Sequence, residues 1–600
     1  MLALLAGFLG PLLLLAVTAW VLGRGVTRAL GLAFEGRLEK GAVSTALGLA
    51  LAAHLLLLLG FAGWIRAVPL LLIAAGIHLL GSPIWRETWK DLRTGGPWPL
   101  MPVMVLLVLP FVLPALYLPT TFDATLYHLP FARAFAATGG VPYLADLRFP
   151  VFPQANEVLF AAVMLGGRDV AAQGVQLLAT LLTAALTALW GRRAFPAWPA
   201  AGPLAAAVFL GSPLVAYLAG TAYIEPGLTL FVTGGFYAAE RWRQTGGRGW
   251  LVPAAVLAAT AADVKYLGLY FLGVTVLIVA LAGGRTRDLL LFAAVALAVL
   301  APWYLRILLL TGNPMFPYAP QLFGANLWQS LPDPHREGTL VQRLVRAARL
   351  PWDLVFARDT YGGQPPLSPI YLVSLPLLAA GMVRDRRVRL WLAVVAAYAF
   401  ACTWLPRDSR YLVAALPLVS LAVAGSVAIF ANPWRRSRPL AWGLCLACLA
   451  PGWLYGFYRT QRNGPLPVTT AGREAYLARK VPLYTAVAWL NRTRGSAYTV
   501  WALNAENVNY FADGRYMGDW VGPASFSRVL AAGRTPEALH RELRRLGADH
   551  LLVPTAAGKG LPFPEDAVFR RWFELVYEDA EARVYTLRPT PAAGARSSTP

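Results

Sequence analysis

Apolar stretches about as long as a bilayer is thick recur along most of this chain, and they constrain its fold more than any other feature. A spanning helix needs about 20 mainly apolar residues, with a range of about 17–25. Fourteen candidates lie at 2–21, 43–62, 67–82, 99–118, 170–190, 200–219, 221–239, 250–264, 266–282, 288–310, 366–382, 389–404, 411–430 and 439–457. Composition agrees: of 600 residues, 57% are hydrophobic and 14% charged, against about 25% charged in an average soluble protein. The mean hydropathy is +0.52. Such a chain cannot solvate a globular surface, which excludes a string of soluble domains or a disordered polymer. Three cysteines exclude a disulfide scaffold.

The formal charge of +22 would point to nucleic acid in a soluble protein. Here the basic residues gather between apolar stretches. With the N-terminus outside, seven clusters fall on one face: Arg24/Arg28/Arg37/Lys40, Arg86/Lys90/Arg93, Arg192/Arg193, Arg241/Arg243/Arg248, Arg285/Arg287, Arg384/Arg386/Arg387/Arg389 and Arg435/Arg436/Arg438. Cytoplasmic loops collect Lys and Arg, so these 21 residues read as topology. The expectation is a multi-pass protein of the cell membrane with both termini on the outer face. The first stretch lacks a basic n-region and is followed by charge, so it reads as an uncleaved anchor.

Four pieces then lie outside: 119–169, 311–365, a turn at 405–410 and everything beyond about 459. In the last, the pattern predicts a helix at 483–492, a strand-like run Ala497–Leu503 and a turn at Asp513-Gly514. An amphipathic helix follows at Pro536–Leu546, with Leu539, Leu543 and Leu546 on one stripe, then a strand at Asp549–Val553 and a pair near 573–587. The predicted fold class is an all-α polytopic membrane domain of about 14 transmembrane helices with a small C-terminal α/β extracytoplasmic domain. Residues 1–98 hold three N-terminal spans, 99–458 the main membrane domain, 459–590 the soluble domain and 591–600 a disordered tail.

Charged groups in a membrane domain are costly and mark function. On this threading Asp123, His128, Glu225, Asp263, Lys265, Arg306 and Arg410 gather at the outer ends of the stretches. That distribution favours a polar site at the outer interface over a relay through the bilayer. Asp123 lies in Thr120-Thr121-Phe122-Asp123-Ala124-Thr125-Leu126-Tyr127-His128-Leu129-Pro130. It suits an N-cap for a helix starting at Ala124 and equally a base at the interface. Lys265, Arg306 and Arg410 read as snorkelling anchors or as ligands of an anion, and Glu225 as an ion-pair partner. Arg343, Arg346 and Arg349 oppose Leu340, Leu344 and Ala347, the pattern of a basic interfacial helix. His54 and His78 suit packing or interhelical bonds.

The Phe-Asp-Ala-x-x-Tyr-His-x-Pro context resembles the first outer loop of the C-type (GT-C) membrane glycosyltransferases, which include the protein O-mannosyltransferases and the lipid A aminoarabinose transferases. Tyr223-Ile224-Glu225-Pro226 is similar to their second acidic site, where Asp is common, and Asp263-Val264-Lys265-Tyr266 to their Lys-Tyr element. Pro302-Trp303-Tyr304-Leu305-Arg306 with Thr311-Gly312-Asn313-Pro314 resembles a span end and its outer loop, and Arg407-Asp408-Ser409-Arg410-Tyr411-Leu412 the start of a late span. The resemblance covers roughly 99–590 and leaves three extra spans in front. It implies a GT-C-like domain at 99–458 that moves a hexosyl or pentosyl group from a polyprenyl-phosphate donor at the outer leaflet to a glycan, lipid or protein acceptor. Asp123 would be the general base, with Glu225 the second catalytic carboxylate. Lys265, Arg306 and Arg410 would hold the donor phosphate; Tyr127, His128, Tyr266 and Tyr411 would bind substrate.

No cofactor motif is legible: there is no Walker A sequence, no GxGxxG after a strand and no HExxH. Cys445 and Cys448 lie inside a stretch without His or further Cys partners. No Asp-x-Asp motif accompanies Asp123, so the sequence supports no metal, although a divalent ion between Asp123 and Glu225 stays open. Two alternatives stay open. A transporter or flippase of lipid-linked sugars should carry mid-span carboxylates and repeat symmetry, which this sequence lacks. An O-antigen ligase- or polymerase-like enzyme shares the outer-face geometry. The threading has a direct test: a cysteine placed at Arg534 should react with a membrane-impermeant thiol reagent in intact spheroplasts, and one in the 384–389 loop should not. The opposite labelling would invert the topology.

Overall fold

A computed structural model describes residues 1–94, 101–323, 338–431, 437–518, 523–556 and 560–589. The membrane portion runs α1 (Leu2–Ala29), α2 (Arg37–Phe61), α3 (Ala67–Leu80), α4 (Ser82–Thr94), α5 (Met101–Ala115), α6 (Leu129–Thr138), α7 (Ala155–Met164) and α8 (Val170–Ala194). It continues α9 (Ala201–Leu210), α10 (Pro213–Ala219), α11 (Glu225–Thr245), α12 (Leu251–Val264), α13 (Gly268–Leu281), α14 (Thr286–Thr311) and the short α15 (Pro320–Phe323). Next come α16 (Leu340–Phe356), α17 (Pro369–Val373), α18 (Leu375–Arg384), α19 (Arg386–Ala401), α20 (Leu416–Phe430) and α21 (Arg438–Asn463). The start of the stretch at 99, Arg435 and Arg436 of the last basic cluster and the tail at 591–600 lie outside the described residues.

Each apolar stretch is built on helix, yet their lengths are unequal. Among the described residues, seven helices are long and apolar enough to cross a membrane, and up to nine if each bent pair counts as one span. The pairs are α3 with α4, bent by 64°, and α9 with α10, bent by 74°. Pro213 restarts the helix after Gly211 and Ser212, because it cannot continue the ladder of backbone bonds. The break has a packing reason: a Cβ on Gly211 would lie 1.8 Å from the Cys448 carbonyl oxygen of α21. Residues 119–169 are also more structured than a loop. They contain a π-turn at Ala124–His128, α6 and the buried α7.

α2 is built into the centre of the bundle. It crosses α1 at small residues, where a Cβ on Gly48 would fall 1.6 Å from the Ala19 carbonyl oxygen, the close approach that membrane helices exploit. Near its start, the buried Glu39 carboxylate accepts a bond from the Tyr237 hydroxyl of α11 at 2.6 Å. Arg193 of α8 and Arg241 of α11 each lie 3.0 Å from the same carboxylate.

Beyond α21 come α22 (Thr470–Lys480), α23 (Tyr484–Arg494), α24 (Pro523–Ala532), α25 (Pro536–Arg545) and α26 (Ala567–Trp572). They surround a five-stranded sheet of order β2-β1-β3-β5-β4, formed by β1 (Thr499–Ala502), β2 (Arg515–Gly518), β3 (His550–Pro554), β4 (Phe573–Glu578) and β5 (Ala582–Leu587). β1 runs parallel to β2 and β3, whereas β5 is antiparallel to β3 and β4. Leu539 and Leu543 of α25 pack with Trp501, Leu551 and Tyr585 on one face. Val487 and Leu490 of α23 pack with Val500, Leu552 and Val584 on the other.

Glu39 supplies the prediction. Removing one member of a buried charge cluster leaves the others unpaired and costs about 3–5 kcal/mol. Glu39→Ala should therefore lower the unfolding temperature of the purified protein; an unchanged transition would mean that the cluster does not anchor α2.

Candidate active site

Four elements far apart in sequence bring their ends together. The chain leaves α5 and makes the π-turn at Ala124–His128, with Asp123 at its head. The Asp123 side chain caps no backbone N–H, so the N-cap role is not used. Its Oδ2 instead accepts a bond from Arg410 Nη1 at 2.7 Å. Arg410 opens the 3₁₀ turn Ser409–Ala415, which Asp408 caps by accepting the Arg410 backbone N–H at 3.0 Å. Asp408 also accepts Arg410 Nε at 2.8 Å, and the guanidinium lies 4.5 Å from the Tyr223 ring centroid. One arginine thus bridges two carboxylates over an aromatic face.

The second pair is built the same way. Glu225 is the first residue of α11, and its Oε1 accepts a bond from Lys265 Nζ at 2.8 Å. Lys265 ends α12 in an extended conformation, with its ammonium 4.7 Å from the Tyr411 ring centroid. The side chains of Asp123 and Lys265 are 16% and 24% exposed, against 8% for Arg410 and 3% for Glu225. Each pair therefore offers one partially accessible group and one buried mate.

The electrostatics follow from this crowding. Burial pushes the Asp123 carboxyl up, but Arg410, His128 and Lys265 together outweigh it and hold it at about 2. Its carboxylate is ionised throughout the physiological range. The stability this adds is complete above about pH 4 and lost as pH falls through about 2. Burial and the Asp123 charge raise the Tyr127 phenol well above the usual tyrosine range, so it is neutral at physiological pH.

His128 is buried and pairs through Nδ1 with Glu157 Oε1 of α7 at 2.6 Å. Tyr127 packs on it, with ring centroids 4.3 Å apart. The Arg306 guanidinium makes its hydrogen bonds elsewhere. Its Nη1 donates to Gln154 Oε1 at 3.1 Å and its Nη2 to the carbonyls of Val141 and Pro142 at 2.7 and 3.0 Å. It clamps the segment before α7. The Tyr266 hydroxyl donates to the Phe316 carbonyl at 2.9 Å, toward the loop after α14. The structure thus joins Asp123, Glu225, Lys265, Arg410 and Tyr411, sets Tyr127 and His128 beside them, and turns Arg306 and the Tyr266 hydroxyl toward loops.

Three contributors were not singled out from sequence. Asp408 and Tyr223 stand inside motifs chosen for their neighbours, and Glu157 stands in none. Among the described residues, no group of three or more His, Cys, Asp or Glu side chains is arranged to hold a metal. Chemically, the site couples a carboxylate to cations able to carry an oxyanion, at the end of an apolar bundle.

A family model described as SF2091/S2213 matches residues 472–586, the sheet and its helices. No curated protein matches the sequence. Among solved structures, the chain is similar to ArnT from Cupriavidus metallidurans in the apo state, with a TM-score of 0.53 at 15% identity. It is also similar to ArnT from the same organism bound to undecaprenyl phosphate, with a TM-score of 0.52 at 16% identity. Both matches cover 81% of this chain and 97% of the other. The chain therefore shares the fold of ArnT.

Proposed function

We propose that this protein transfers a sugar from a polyprenyl-phosphate donor to an acceptor at the outer face of the membrane, with Asp123 as general base. The observation that carries this reading is the paired arrangement of Asp123 with Arg410 and Glu225 with Lys265. Supporting it are the shared fold and the undecaprenyl phosphate bound by one ArnT structure. The positive-inside clusters support fourteen crossings with both termini outside, a catalytic domain over 99–458 and an extracytoplasmic domain over 459–590.

An Asp held at about 2 is too weak a base for efficient proton abstraction at neutral pH. Donor binding removes that obstacle. The phosphate competes with Asp123 for Arg410 and with Glu225 for Lys265, through charge-assisted bonds. Once Arg410 turns to the phosphate, Asp123 keeps its burial but loses its cation, and its proton affinity rises. An acceptor O–H or N–H then gives its proton to Asp123 as its heteroatom attacks the anomeric carbon. The bond from that carbon to the phosphate oxygen breaks, and its electron pair stays on the phosphate, where Arg410 and Lys265 stabilise it. Tyr127, His128 and Tyr411 shape the pocket. Arg306, through its loop contacts, and Tyr266, through its bond to Phe316, position the surrounding segments.

Two experiments test this scheme. Asp123→Asn should lower turnover by about 10²–10⁴-fold while donor binding is retained; near-normal turnover per folded molecule would contradict the base assignment. Arg410→Gln should weaken donor binding by about 1.5–3 kcal/mol and shift the acid limb of kcat/KM. Without its cation, Asp123 protonates at higher pH, so activity should be lost on acidification near or above the ordinary aspartate value of about 4. An unmoved acid limb would show that Asp123 is not the group being titrated.

A further inference from the structure

α2 belongs to the N-terminal helices that the proposed chemistry leaves idle, yet it reaches the site from behind. Asp263, one residue before the end of α12, is fully buried. A carboxylate there faces the negative end of the helix dipole in apolar surroundings that penalise its charge. His54 of α2 answers it: Nε2 lies 2.9 Å from Asp263 Oδ2. The other ring nitrogen, Nδ1, lies 2.7 Å from the Ala50 carbonyl oxygen, which can only accept. Nδ1 must donate there, so one further proton lies between Nε2 and the carboxylate, on whichever atom carries it. A single proton bridges α2 and α12.

Two residues on stands Lys265, in a turn with little slack. The Lys265 N–H donates to the Ala261 carbonyl at 3.2 Å, and the Gly268 N–H to the Lys265 carbonyl at 2.8 Å. The Tyr304 hydroxyl of α14 donates to the Ala262 carbonyl at 3.2 Å. A Cβ on Gly268 would fall 2.2 Å from the Ala261 carbonyl carbon, so that face is closed by backbone. Asp263 ties this turn to α2 through His54, and among the described residues its Oδ1 has no hydrogen-bond partner. Among the described residues, the His54 contact is the hydrogen bond that holds the carboxylate.

We propose that His54 is a positioning residue: through Asp263 it fixes the turn that aims Lys265 at Glu225 and the donor phosphate. The inference rests on Lys265 as a phosphate ligand, but the turn can be tested without substrate. The full chain is compared in lipid nanodiscs with His54→Gln, His54→Leu and the double variant His54→Leu/Asp263→Leu. The double variant replaces the buried pair by apolar side chains, a change that is often neutral for folding. One readout is the rate of reductive methylation of Lys265, followed by mass spectrometry; the other is the dissociation constant for undecaprenyl phosphate.

In both Leu variants, methylation of Lys265 should quicken and binding weaken by about ten-fold, the size of coupling between groups in contact. The double variant should nevertheless unfold at close to the wild-type temperature. His54→Gln, which still offers a donor to Asp263, should stay near wild type in both readouts. A double variant with wild-type Lys265 reactivity would overturn the proposal and leave the pair a purely structural contact. If the wild-type protein does not bind undecaprenyl phosphate, the donor reading fails, and the methylation rates still decide whether His54 positions Lys265.

Discussion

Two cations held by three carboxylates at the ends of apolar helices are the interaction on which the site depends. Desolvating such groups is expensive, and in the interior of a protein an ion pair repays that cost only with good geometry and further hydrogen bonds. The fold supplies both. Arg410 spreads its donors over Asp123 and Asp408 and lies on Tyr223, while Lys265 lies on Tyr411 and bonds Glu225. Asp123 and Arg410 are 287 residues apart, so the pair forms only when the first and last parts of the membrane domain have assembled.

The surrounding structure holds this arrangement from two sides. Within the bundle, Glu39 ties α2 to α8 and α11, and His54 ties it to α12. On the side of the C-terminal sheet, Arg133 of α6 donates to the carbonyls of Tyr510 and Ala512 at 2.9 and 3.1 Å, and Arg515 of β2 grips Asp146 at 2.7 and 2.9 Å. The sheet is therefore seated on the same segment, 119–169, that carries Asp123.

Much of this was legible in sequence because burying charge is costly. Asp123, Glu225, Lys265 and Arg410 stood out as ionisable groups at the ends of apolar runs. In the C-terminal domain, helices α23 and α25 and strands β1, β3, β4 and β5 were legible through local periodicity, as at Leu539 and Leu543 of α25, whereas β2, α22, α24 and α26 were not. What escaped was information carried by geometry between distant residues. Composition gives no sign that Arg410 reaches Asp123, or His54 Asp263. It gives no sign either that the 200–219 stretch bends so that Gly211 can pack against α21. Arg306, at the end of an apolar run, was expected to hold phosphate, but two of its three hydrogen bonds go to main-chain carbonyls, which leave no trace in a side-chain pattern. α7 went unseen because ten residues are too few to register as a span.

The exchange of partners at Arg410 is the central step proposed for this protein, and a structure of the full chain with a polyprenyl monophosphate bound tests it most directly. The proposed mechanism predicts phosphate oxygens within hydrogen-bonding distance of Arg410 and Lys265, with the Asp123 carboxylate released from Arg410 and facing the acceptor side. A phosphate bound elsewhere, with the 2.7 Å contact between Arg410 and Asp123 intact, would contradict it.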